Sequence, residues 1–442
     1  MARRVPADPL LVVAGPGGEL REVEGVYALA RSGGTAVRPD PRSWVPLPEG
    51  ALLFHLPGRR AIGLDPTTGR PVEVASDRDE QVTAAAAFLP PAYTALYLSA
   101  YRREPEAPAL PLYCYAAVGW RDGTFVVPAL RVDPDRRQDV ALFDEQEIER
   151  AARDTLARFP GNRLARHLVE NCALTYCCPA ARNFVLGRWE APLPSSPACN
   201  ADCIGCLSYQ PEGEVPVTQP RLTIRPTPEE IAEIATWHLE RAPRAIVSFG
   251  QGCEGEPLLR GEVIEEAIRR IRAATRRGTI NINTNASRPD VVRRLVDAGL
   301  DAIRISLNSC REELYERYYR PRGYGFEDLV ASGRAVADAG GTVSLNYFMF
   351  PGITDTEEEF AALCRVIERA GVSVIQMRNL NIDPDLYLER LGLPADLPPG
   401  FGIDRWRKRL GRRFRDLRFG YFNPPREAPE RIAPRTGRGG SR

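Results

Sequence analysis

The sequence predicts an α/β protein in which six parallel strands form a partial, open (βα)6 barrel, preceded by a β-rich N-terminal domain. From about residue 184 onward, apolar strand patterns alternate with amphipathic helix patterns, which is typical of a parallel sheet with right-handed crossovers. This part has about 200 residues, fewer than the ~250 of an eight-stranded barrel. Before residue 140, short apolar runs alternate with turn signals, which favours short strands.

The 442-residue chain is long enough for two or three domains. In the N-terminal part, Asp122-Gly123 suits a type I′ turn and predicts a hairpin over residues 120–125. A helical pattern begins near Phe143, and the last residues are rich in proline, glycine and charge, which predicts disorder. We therefore expect five segments: a β-rich domain at 1–140 that is a candidate substrate platform, a helical connector at 141–183, the barrel at 184–390, a basic C-terminal extension at 391–423 and a disordered tail at 424–442.

Local signals locate the strands and helices of the barrel. Ser/Thr-x-x-Glu sequences that begin at Thr227, Ser309 and Thr354 predict capping boxes at helix N-termini. The glycines expected at helix C-termini are Gly299, Gly340 and Gly371. The six expected strands are 184–193, 245–250, 279–284, 301–308, 342–350 and 372–380.

Composition excludes several classes of protein. The formal net charge of +1 argues against a nucleic-acid binder that is basic over its whole surface. The apolar run from Leu10 to Ala14 is too short for a secretory signal, and no run approaches the ~20 apolar residues of a membrane span. The sequence therefore predicts a cytoplasmic protein without a membrane segment. In such a chain ten cysteines favour metal or redox chemistry over a disulfide framework.

Three of these cysteines form a Cys-x3-Cys-x2-Cys loop directly after the first barrel strand: Cys199, Cys203 and Cys206. Three thiolates this close can bind three corners of a cubane iron–sulfur cluster. Such clusters normally have four cysteine ligands, so this loop would leave one iron open to a substrate or cofactor. That arrangement is typical of a reactive centre.

Zinc is the alternative for this loop. A structural zinc site needs a fourth cysteine or histidine, and none of the three histidines in the chain lies in the loop. Cys172, Cys177 or Cys178 could complete such a site. The cysteines by themselves leave both alternatives open and favour the open cluster.

The region from about 190 to 390 resembles the radical S-adenosylmethionine superfamily. In that family a Cys-x3-Cys-x2-Cys loop follows the first strand of a partial (βα)6 barrel. The resemblance implies that Cys199, Cys203 and Cys206 bind a [4Fe–4S] cluster, and that S-adenosylmethionine chelates the open iron. It further implies reductive cleavage of S-adenosylmethionine to a 5′-deoxyadenosyl radical that acts on an unidentified substrate.

Further motifs of the family follow the next strands. The turn Glu254-Gly255-Glu256-Pro257 resembles the family's Gly-Gly-Glu-Pro turn, which receives the methionine amino group. Each predicted motif stands at the carboxyl end of a strand, where barrel active sites form. The residues that the resemblance assigns to S-adenosylmethionine are Gly255, Glu256, Pro257, Thr284, Asn285, Ser306, Asn308 and Gln376. The alternative for Asn285, Ser306 and Asn308 is that they bond turn backbones.

Two positions depart from the family pattern. The first glycine of the turn is Glu254 here, and the aromatic residue common before the third cysteine is Gly205. Packing against adenine is therefore expected from other residues, with Ile204, Leu207 and Tyr209 as candidates.

The remaining cysteines have two interpretations. Cys172, Cys177 and Cys178 could bind a second cluster or serve as redox thiols, and Cys253 could donate a hydrogen atom or be modified. The alternative is that they are small buried apolar residues, since free cysteine is among the most buried residue types. Asp383 and Asp385 could face the substrate, although such charges are more often structural.

The partners implied are a one-electron donor, such as a flavodoxin or ferredoxin, and an unknown substrate. The segment 404–418 is strongly basic with interleaved aromatic residues, which suits RNA or another anionic partner. The favoured alternative is an amphipathic helix that packs Trp406, Leu410, Phe414 and Leu417 on the barrel.

Two other functions compete with the enzyme. The first is a non-catalytic iron–sulfur protein that only transfers electrons, with Cys253 as a candidate fourth ligand. The second is a zinc-containing RNA-binding module led by residues 404–418, whose RNA affinity would fall steeply with salt.

Overall fold

The computed structural model of the protein describes residues 6–426. The sequence predicts disorder for residues 424–442, and residues 427–442 lie outside the described range. Among the described residues, no helix combines the length and the apolar character that a membrane crossing requires.

The N-terminal part of the chain is built from short antiparallel strands around small apolar clusters. Most of them join one 11-stranded sheet. The hairpin predicted at 120–125 is present, because Trp120 pairs with Phe125 and both Asp122 and Gly123 have positive φ angles. The strands are β1 Leu10–Ala14, β2 Leu20–Ala28, β3 Ala30–Ser32, β4 Thr35–Val37, β5 Trp44–Pro46, β6 Leu52–Leu56, β7 Arg59–Asp65, β8 Arg70–Val74, β9 Ser76–Asp77, β10 Glu80–Gln81, β11 Thr83–Phe88, β12 Tyr93–Ala95, β13 Leu98–Ser99, β14 Tyr101–Arg103, β15 Gly119–Arg121 and β16 Thr124–Arg131.

Helices connect this sheet to the rest of the molecule. They are α1 Glu145–Arg158, α2 Arg163–Arg166, a π-helix over His167–Thr175 and α3 Pro179–Val185. The prediction placed the start of the first barrel strand at residue 184, which is wrong because Phe184 belongs to α3. Pro179 stands at the first helical position of α3, where the missing N–H costs nothing.

The second half of the molecule is a parallel sheet in which consecutive strands are neighbours. The six strands expected from the sequence are present, and a seventh, β23, joins them. It has only three residues, too few for a periodic signal. The strands are β17 Glu190–Leu193, β18 Ile246–Phe249, β19 Thr279–Thr284, β20 Ala302–Leu307, β21 Thr342–Met349, β22 Val374–Asn379 and β23 Arg418–Gly420.

Amphipathic helices alternate with these strands, and their apolar faces form the largest core cluster. They are α4 Pro228–Arg241, α5 Gly261–Ala274, α6 Pro289–Ala298, α7 Glu312–Tyr319, α8 Phe326–Asp338, α9 Glu357–Ala370, α10 Pro384–Arg390 and α11 Ile403–Arg413. The capping box at Thr227 is confirmed, since Thr227 and Glu230 exchange two hydrogen bonds.

The other two predicted capping boxes are wrong. Helix α7 begins after Arg311 and α9 begins after Thr356. Ser309 instead donates its hydroxyl to the buried Glu359, and the Thr354 hydroxyl accepts a hydrogen bond from the Phe350 N–H at 2.9 Å. A distant glutamate thus binds the Ser309 hydroxyl and a local turn binds the Thr354 hydroxyl, so neither hydroxyl caps a helix.

The basic segment packs an amphipathic helix on the sheet, as the sequence favours, but α11 ends at Arg413, so the expectation that Phe414 and Leu417 belong to the helix is wrong. Trp406 and Leu410 of α11 are fully buried, and the Trp406 ring stacks on Tyr347 at 5.9 Å. On the outer face Arg409 pairs with Glu357 at 2.5 Å. The helix thereby covers the sheet with its apolar side.

The N-terminal sheet contacts the parallel sheet near the carboxyl end of β22. The Thr94 hydroxyl donates to the Met377 carbonyl at 2.8 Å, and the Ala95 N–H donates to the Asn379 side chain at 2.8 Å. These contacts bring the end of β11 to the same edge of the parallel sheet.

Candidate active site

A cavity of about 400 Å³ lies at the carboxyl ends of the parallel strands. Residues that follow or end β18 to β22 line it, together with the cysteine loop after β17. Phe88 and Leu89 from the end of β11 complete the wall. A second cavity of about 420 Å³ lies at the opposite ends of the strands, next to Val374 and Arg418, away from the cysteine loop.

The three loop cysteines line this cavity and are only partly buried. A group of three possible metal ligands whose atoms lie within 4.8 Å of one another is found elsewhere among the described residues. Burial raises the pKa of the Cys199 thiol to about 11 and also raises that of Cys203, so without a metal these groups are neutral.

Backbone hydrogen bonds hold the cysteine loop against the end of α7. The Asp202 N–H donates to the Tyr319 carbonyl and the Ile204 N–H donates to the Tyr318 carbonyl, both at 3.0 Å. The Arg322 N–H donates in the other direction to the Asn200 carbonyl at 2.9 Å. The loop is thus fixed like a short strand, which orients its cysteines toward the cavity.

Arg221 also reaches the loop. Its guanidinium donates to the Cys206 sulfur at 3.3 Å and to the Ser208 hydroxyl at 3.2 Å. A hydrogen bond to a ligating sulfur is one of the features that set the reduction potential of an iron–sulfur cluster.

The turn after β18 approaches the cysteine loop very closely at Gly255. The Gly255 N–H donates to the Ser196 carbonyl at 2.7 Å, and the Glu256 N–H donates to the Ala198 carbonyl at 2.8 Å. A Cβ atom at Gly255 would lie 2.0 Å from the Ala198 carbonyl oxygen. Only glycine fits at this position.

Glu256 is buried and both of its carboxylate oxygens accept hydrogen bonds. The Thr284 hydroxyl and the Leu258 N–H donate to one oxygen, and the Asn285 N–H donates to the other at 2.8 Å. Burial raises the pKa of the Glu256 carboxyl to about 7. Pro257 also lines the cavity and begins the short 3-10 helix Pro257–Arg260.

Glu254, the departure from the family turn, lines the cavity and connects the turn to the start of the cysteine loop. Its carboxylate accepts from the N–H groups of Ser195 and Ser196 at 2.7 and 2.8 Å, and from the Gln251 N–H at 2.8 Å. The Glu254 side chain therefore anchors both segments at once.

The residues at the ends of β19 to β22 divide into two groups. Thr284, Asn285 and Ser306 line the cavity, and the Asn285 amide donates to the Asn200 side chain of the cysteine loop at 2.8 Å. Asn308 is not among the lining residues, because its amide bonds the Leu314 carbonyl and the Tyr387 hydroxyl. That contact matches the alternative in which Asn308 serves the local structure.

Gln376 is also outside the lining. Its side chain is fully buried between Arg304 and Asn423, which it contacts at 3.1 and 2.9 Å. Arg378, two residues further along β22, lines the cavity in its place.

The sequence analysis did not identify the aromatic residues that line the cavity. A Cβ at Gly205 would lie 2.6 Å from the Tyr318 hydroxyl, so Tyr318 occupies the space beside this glycine. Of the three candidates for adenine packing, Leu207 lines the cavity, whereas Ile204 and Tyr209 do not. The aromatic lining residues are Phe88, Tyr318, Tyr319, Phe348 and Tyr421.

Three arginines give the cavity positive charge, and besides Arg221 they are Arg304 and Arg378 of the strands. Arg304 and Arg378 both line it, and the Nε atom of each is buried without a hydrogen-bond partner among the described residues. Burial and the nearby Arg378 lower the pKa of Arg304 to about 9, so it stays charged at neutral pH. The sequence contained a signal for Arg304. Side chains alternate between the two faces of a strand, so Arg304 lies on the same face of β20 as Ser306.

The cysteines outside the loop do not join this cavity. Cys172, Cys177, Cys178 and Cys253 are absent from its lining. The structure thus does not bring these four cysteines into the cavity that the loop cysteines line. The sulfur donors of the loop, an adjacent glycine turn and a polar cavity together fit an open cluster with a small-molecule ligand.

Part of the chain is similar to known proteins. Residues 193–364 match the family model of the Radical SAM superfamily. A probable GTP 3′,8-cyclase of Aeropyrum pernix is 30% identical over 178 residues, which are 40% of this chain and 46% of that protein. A GTP 3′,8-cyclase of Microcystis aeruginosa is 30% identical over 139 residues, which are 31% and 42%. The chain thus spans less than half the length of either relative.

Solved structures are more distant. Streptococcus suis SuiB bound to precursor peptide SuiA is 15% identical, with 63% of this chain and 65% of that chain covered and a TM-score of 0.36. A radical SAM methyltransferase from Sphaerobacter thermophilus is 18% identical, with 47% and 65% covered and a TM-score of 0.34. Similarity at this level supports no inference about function.

Proposed function

Residues 193–364 of this chain belong to the radical SAM superfamily, and from that premise we propose that the protein is an enzyme that cleaves S-adenosylmethionine to act on an anionic substrate. Cys199, Cys203 and Cys206 would hold a [4Fe–4S] cluster, which when bound would supply the one electron for cleavage of S-adenosylmethionine to methionine and a 5′-deoxyadenosyl radical. One observation carries the proposal: the three cysteines and the Gly255–Pro257 turn line the same cavity.

The chain's own residues would bind and orient the cofactor. Gly255 lets the turn approach the cysteine loop, and Glu256 offers a carboxylate for the methionine amino group. Asn285 and Ser306 present polar side chains to the same cavity, whose aromatic wall includes Tyr318. Backbone contacts hold these groups before any ligand arrives, which lowers the entropy cost of binding.

The lining also supports the expected curvature of the sheet. We propose that the parallel sheet curves into a partial barrel, because residues at the ends of five successive strands reach one cavity of about 400 Å³. A flat sheet would spread those ends over a distance of ~20 Å, at ~4.8 Å between neighbours.

The arginines define the proposed substrate class. Arg304 and Arg378 line the cavity with buried, unpartnered Nε atoms, which favours a ligand with a carboxylate or phosphate group. Phe88 and Leu89 of the N-terminal part line the same cavity, which supports the proposal that the N-terminal part is a substrate platform. GTP, named for both curated relatives, is the first anionic substrate to assay.

Reduction would come from a one-electron donor such as a flavodoxin or ferredoxin, and we expect a cytoplasmic location. RNA binding by residues 404–418 stays a prediction from the sequence. In the structure that segment uses Arg409 and Arg413 for ion pairs with Glu357 and Glu368.

The direct test is formation of 5′-deoxyadenosine. The protein is reconstituted anaerobically with iron and sulfide, reduced with dithionite and given S-adenosylmethionine, and the product is measured by chromatography. We expect product from the wild type and none from Cys203→Ala. Cys364→Ala is the matched control, because Cys364 is a buried cysteine of α9 outside the cavity lining.

The same preparation distinguishes the electron-transfer alternative. A protein that holds the cluster but neither binds S-adenosylmethionine at equilibrium nor forms product would refute the proposed enzyme. Binding without product would direct the assay to anionic substrates, added together with S-adenosylmethionine.

A further inference from the structure

A second group of metal-binding side chains lies outside the cavity. The ligand atoms of His167, Cys172 and Cys253 all lie within 4.8 Å of one another, and Cys172 and Cys253 are buried. His167 and Cys172 belong to the π-helix of the connector, whereas Cys253 belongs to the turn after β18. The group therefore joins two elements that are distant in sequence.

The π-helix explains how two of these side chains meet. Residues five apart lie about 140° from each other around an α-helix, since each residue advances ~100°. In a π-helix the i→i+5 hydrogen bond places residue i+5 above residue i instead. His167 and Cys172 are five residues apart in such a segment, and the Tyr176 N–H donates to the Asn171 carbonyl in this pattern at 2.9 Å.

The His167 ring is suited to bind a metal through Nε2. That atom is buried and has no hydrogen-bond partner among the described residues. Nδ1 lies 2.9 Å from the Asn171 side-chain amide nitrogen. The oxygen and nitrogen of such an amide are nearly indistinguishable, and a 180° turn of the amide would let Nδ1–H donate to the oxygen and leave Nε2 a free lone pair, the usual arrangement of a metal-binding histidine.

A further thiol is close to the group. The chain turns back after the π-helix, and the Cys178 N–H donates to the Cys172 carbonyl at 2.8 Å. Burial raises the pKa of the Cys178 thiol, and the nearby Cys253 raises it further. Cys177, in contrast, is exposed.

We propose that His167, Cys172 and Cys253 bind one zinc ion, with Cys178 as a candidate for the fourth ligand. Thiolate and imidazole are the ligands of structural zinc sites, and Zn–S bonds of ~2.3 Å place ligand atoms ~4 Å apart. The spacing of the His167, Cys172 and Cys253 ligand atoms, all within 4.8 Å of one another, suits one ion. Because Cys253 directly precedes Glu254, the zinc ion would fasten the connector to the turn of the active site.

The test separates this site from the cluster. In the full chain, the triple variant Cys199→Ala/Cys203→Ala/Cys206→Ala removes the loop thiols, and bound zinc is measured by mass spectrometry after dialysis. We expect one zinc ion per chain. Replacement with Co(II) is expected to give thiolate charge-transfer bands and the visible bands of a tetrahedral ion.

Substitutions in the triple variant identify the ligands. Cys253→Ser and His167→Gln are each expected to weaken zinc binding on the order of 100-fold. Cys177→Ser is the matched control, because this exposed cysteine lies in the same segment and should leave zinc binding unchanged. If Cys253→Ser does not fold, His167→Gln and the Co(II) spectrum of the triple variant still decide the matter.

Four results would overturn the proposal. They are a folded triple variant without bound zinc, iron with acid-labile sulfide in that variant, a Cys172–Cys253 disulfide in anaerobically prepared protein, and equal loss of zinc from the Cys177→Ser control. None of them depends on radical chemistry, so the zinc site and the proposed enzyme can fail separately.

Discussion

Glu254, at the position where the family turn has a glycine, has a structural task in the turn after β18. Three backbone N–H groups point at its buried carboxylate, and the Ser195 hydroxyl adds a fourth donor at 3.1 Å. These donors favour the ionised form, although burial raises the pKa of the carboxyl to about 7. The carboxylate thus holds together the turn and the start of the cysteine loop.

We predict that Glu254→Gln lowers the free energy of unfolding by about 2 kcal/mol, because the amide NH₂ must face a backbone donor that then loses its acceptor. Urea unfolding of the metal-free protein at pH 8 measures this, since the wild-type carboxyl is then ionised. The variant should also retain less iron after reconstitution. Glu262→Gln, at an exposed position of α5, is the control. Equal stability of both variants would show that Glu254 anchors nothing.

At the scale of elements, His238 connects α4 to the residue before β17. The fully buried ring donates Nε2–H to the Trp189 carbonyl at 2.9 Å. Burial lowers the pKa of His238 to about 4, while the Trp189 carbonyl and Glu190 oppose this shift. The helix therefore packs against the strand with a neutral histidine.

This neutral histidine predicts a loss of stability in acid. An unfolded histidine has a pKa near ~6.5, so the unfolded state takes up a proton first as the pH falls from 6.5 toward 4. Between pH 7 and pH 5 the contribution amounts to about 2 kcal/mol. His238→Gln keeps a donor for the Trp189 carbonyl and removes the titration. Urea unfolding at both pH values should show a smaller loss for the variant, and an equal loss would contradict the assignment.

Over the whole molecule, a buried ion pair joins the N-terminal sheet to the parallel sheet. The Arg59 guanidinium and the Asp383 carboxylate are both fully buried and lie 2.5 Å apart. Asp383 also accepts from the Leu110 N–H at 2.9 Å and from the Asp385 N–H at the start of α10. Asp385 pairs with Arg31. Both aspartates thus form ion pairs with arginines of the N-terminal sheet. This agrees with the alternative that these two charges are structural.

We predict that Asp383→Asn lowers the free energy of unfolding by about 3 kcal/mol, because it leaves the Arg59 charge buried without a counter-ion. Glu327→Gln, which breaks an exposed pair with Arg369, should cost less than about 1 kcal/mol. Urea unfolding measures both variants. A loss for Asp383→Asn no larger than that of Glu327→Gln would show that the pair does not hold the two sheets together.

The sequence by itself determined the features that depend on local pattern. The order of the parallel strands follows from alternating apolar stretches, and the cysteine loop and the Gly255–Pro257 turn follow from short motifs. Because the carboxyl ends of parallel strands meet at one edge, the sequence also predicted that Thr284, Asn285 and Ser306 approach the loop. Backbone geometry is sufficient for these conclusions.

Only the tertiary structure decided which side chains face the cavity and which distant residues meet. Asn308 ends one expected strand and Gln376 lies on another. Both side chains form hydrogen bonds with buried partners and therefore do not line the cavity. His167 and Cys253 lie close together although they belong to elements far apart in sequence. His167 belongs to a π-helix, which no local sequence pattern predicted. Side-chain direction and long-range contact are set by packing of the whole chain, which is why a linear pattern cannot supply them.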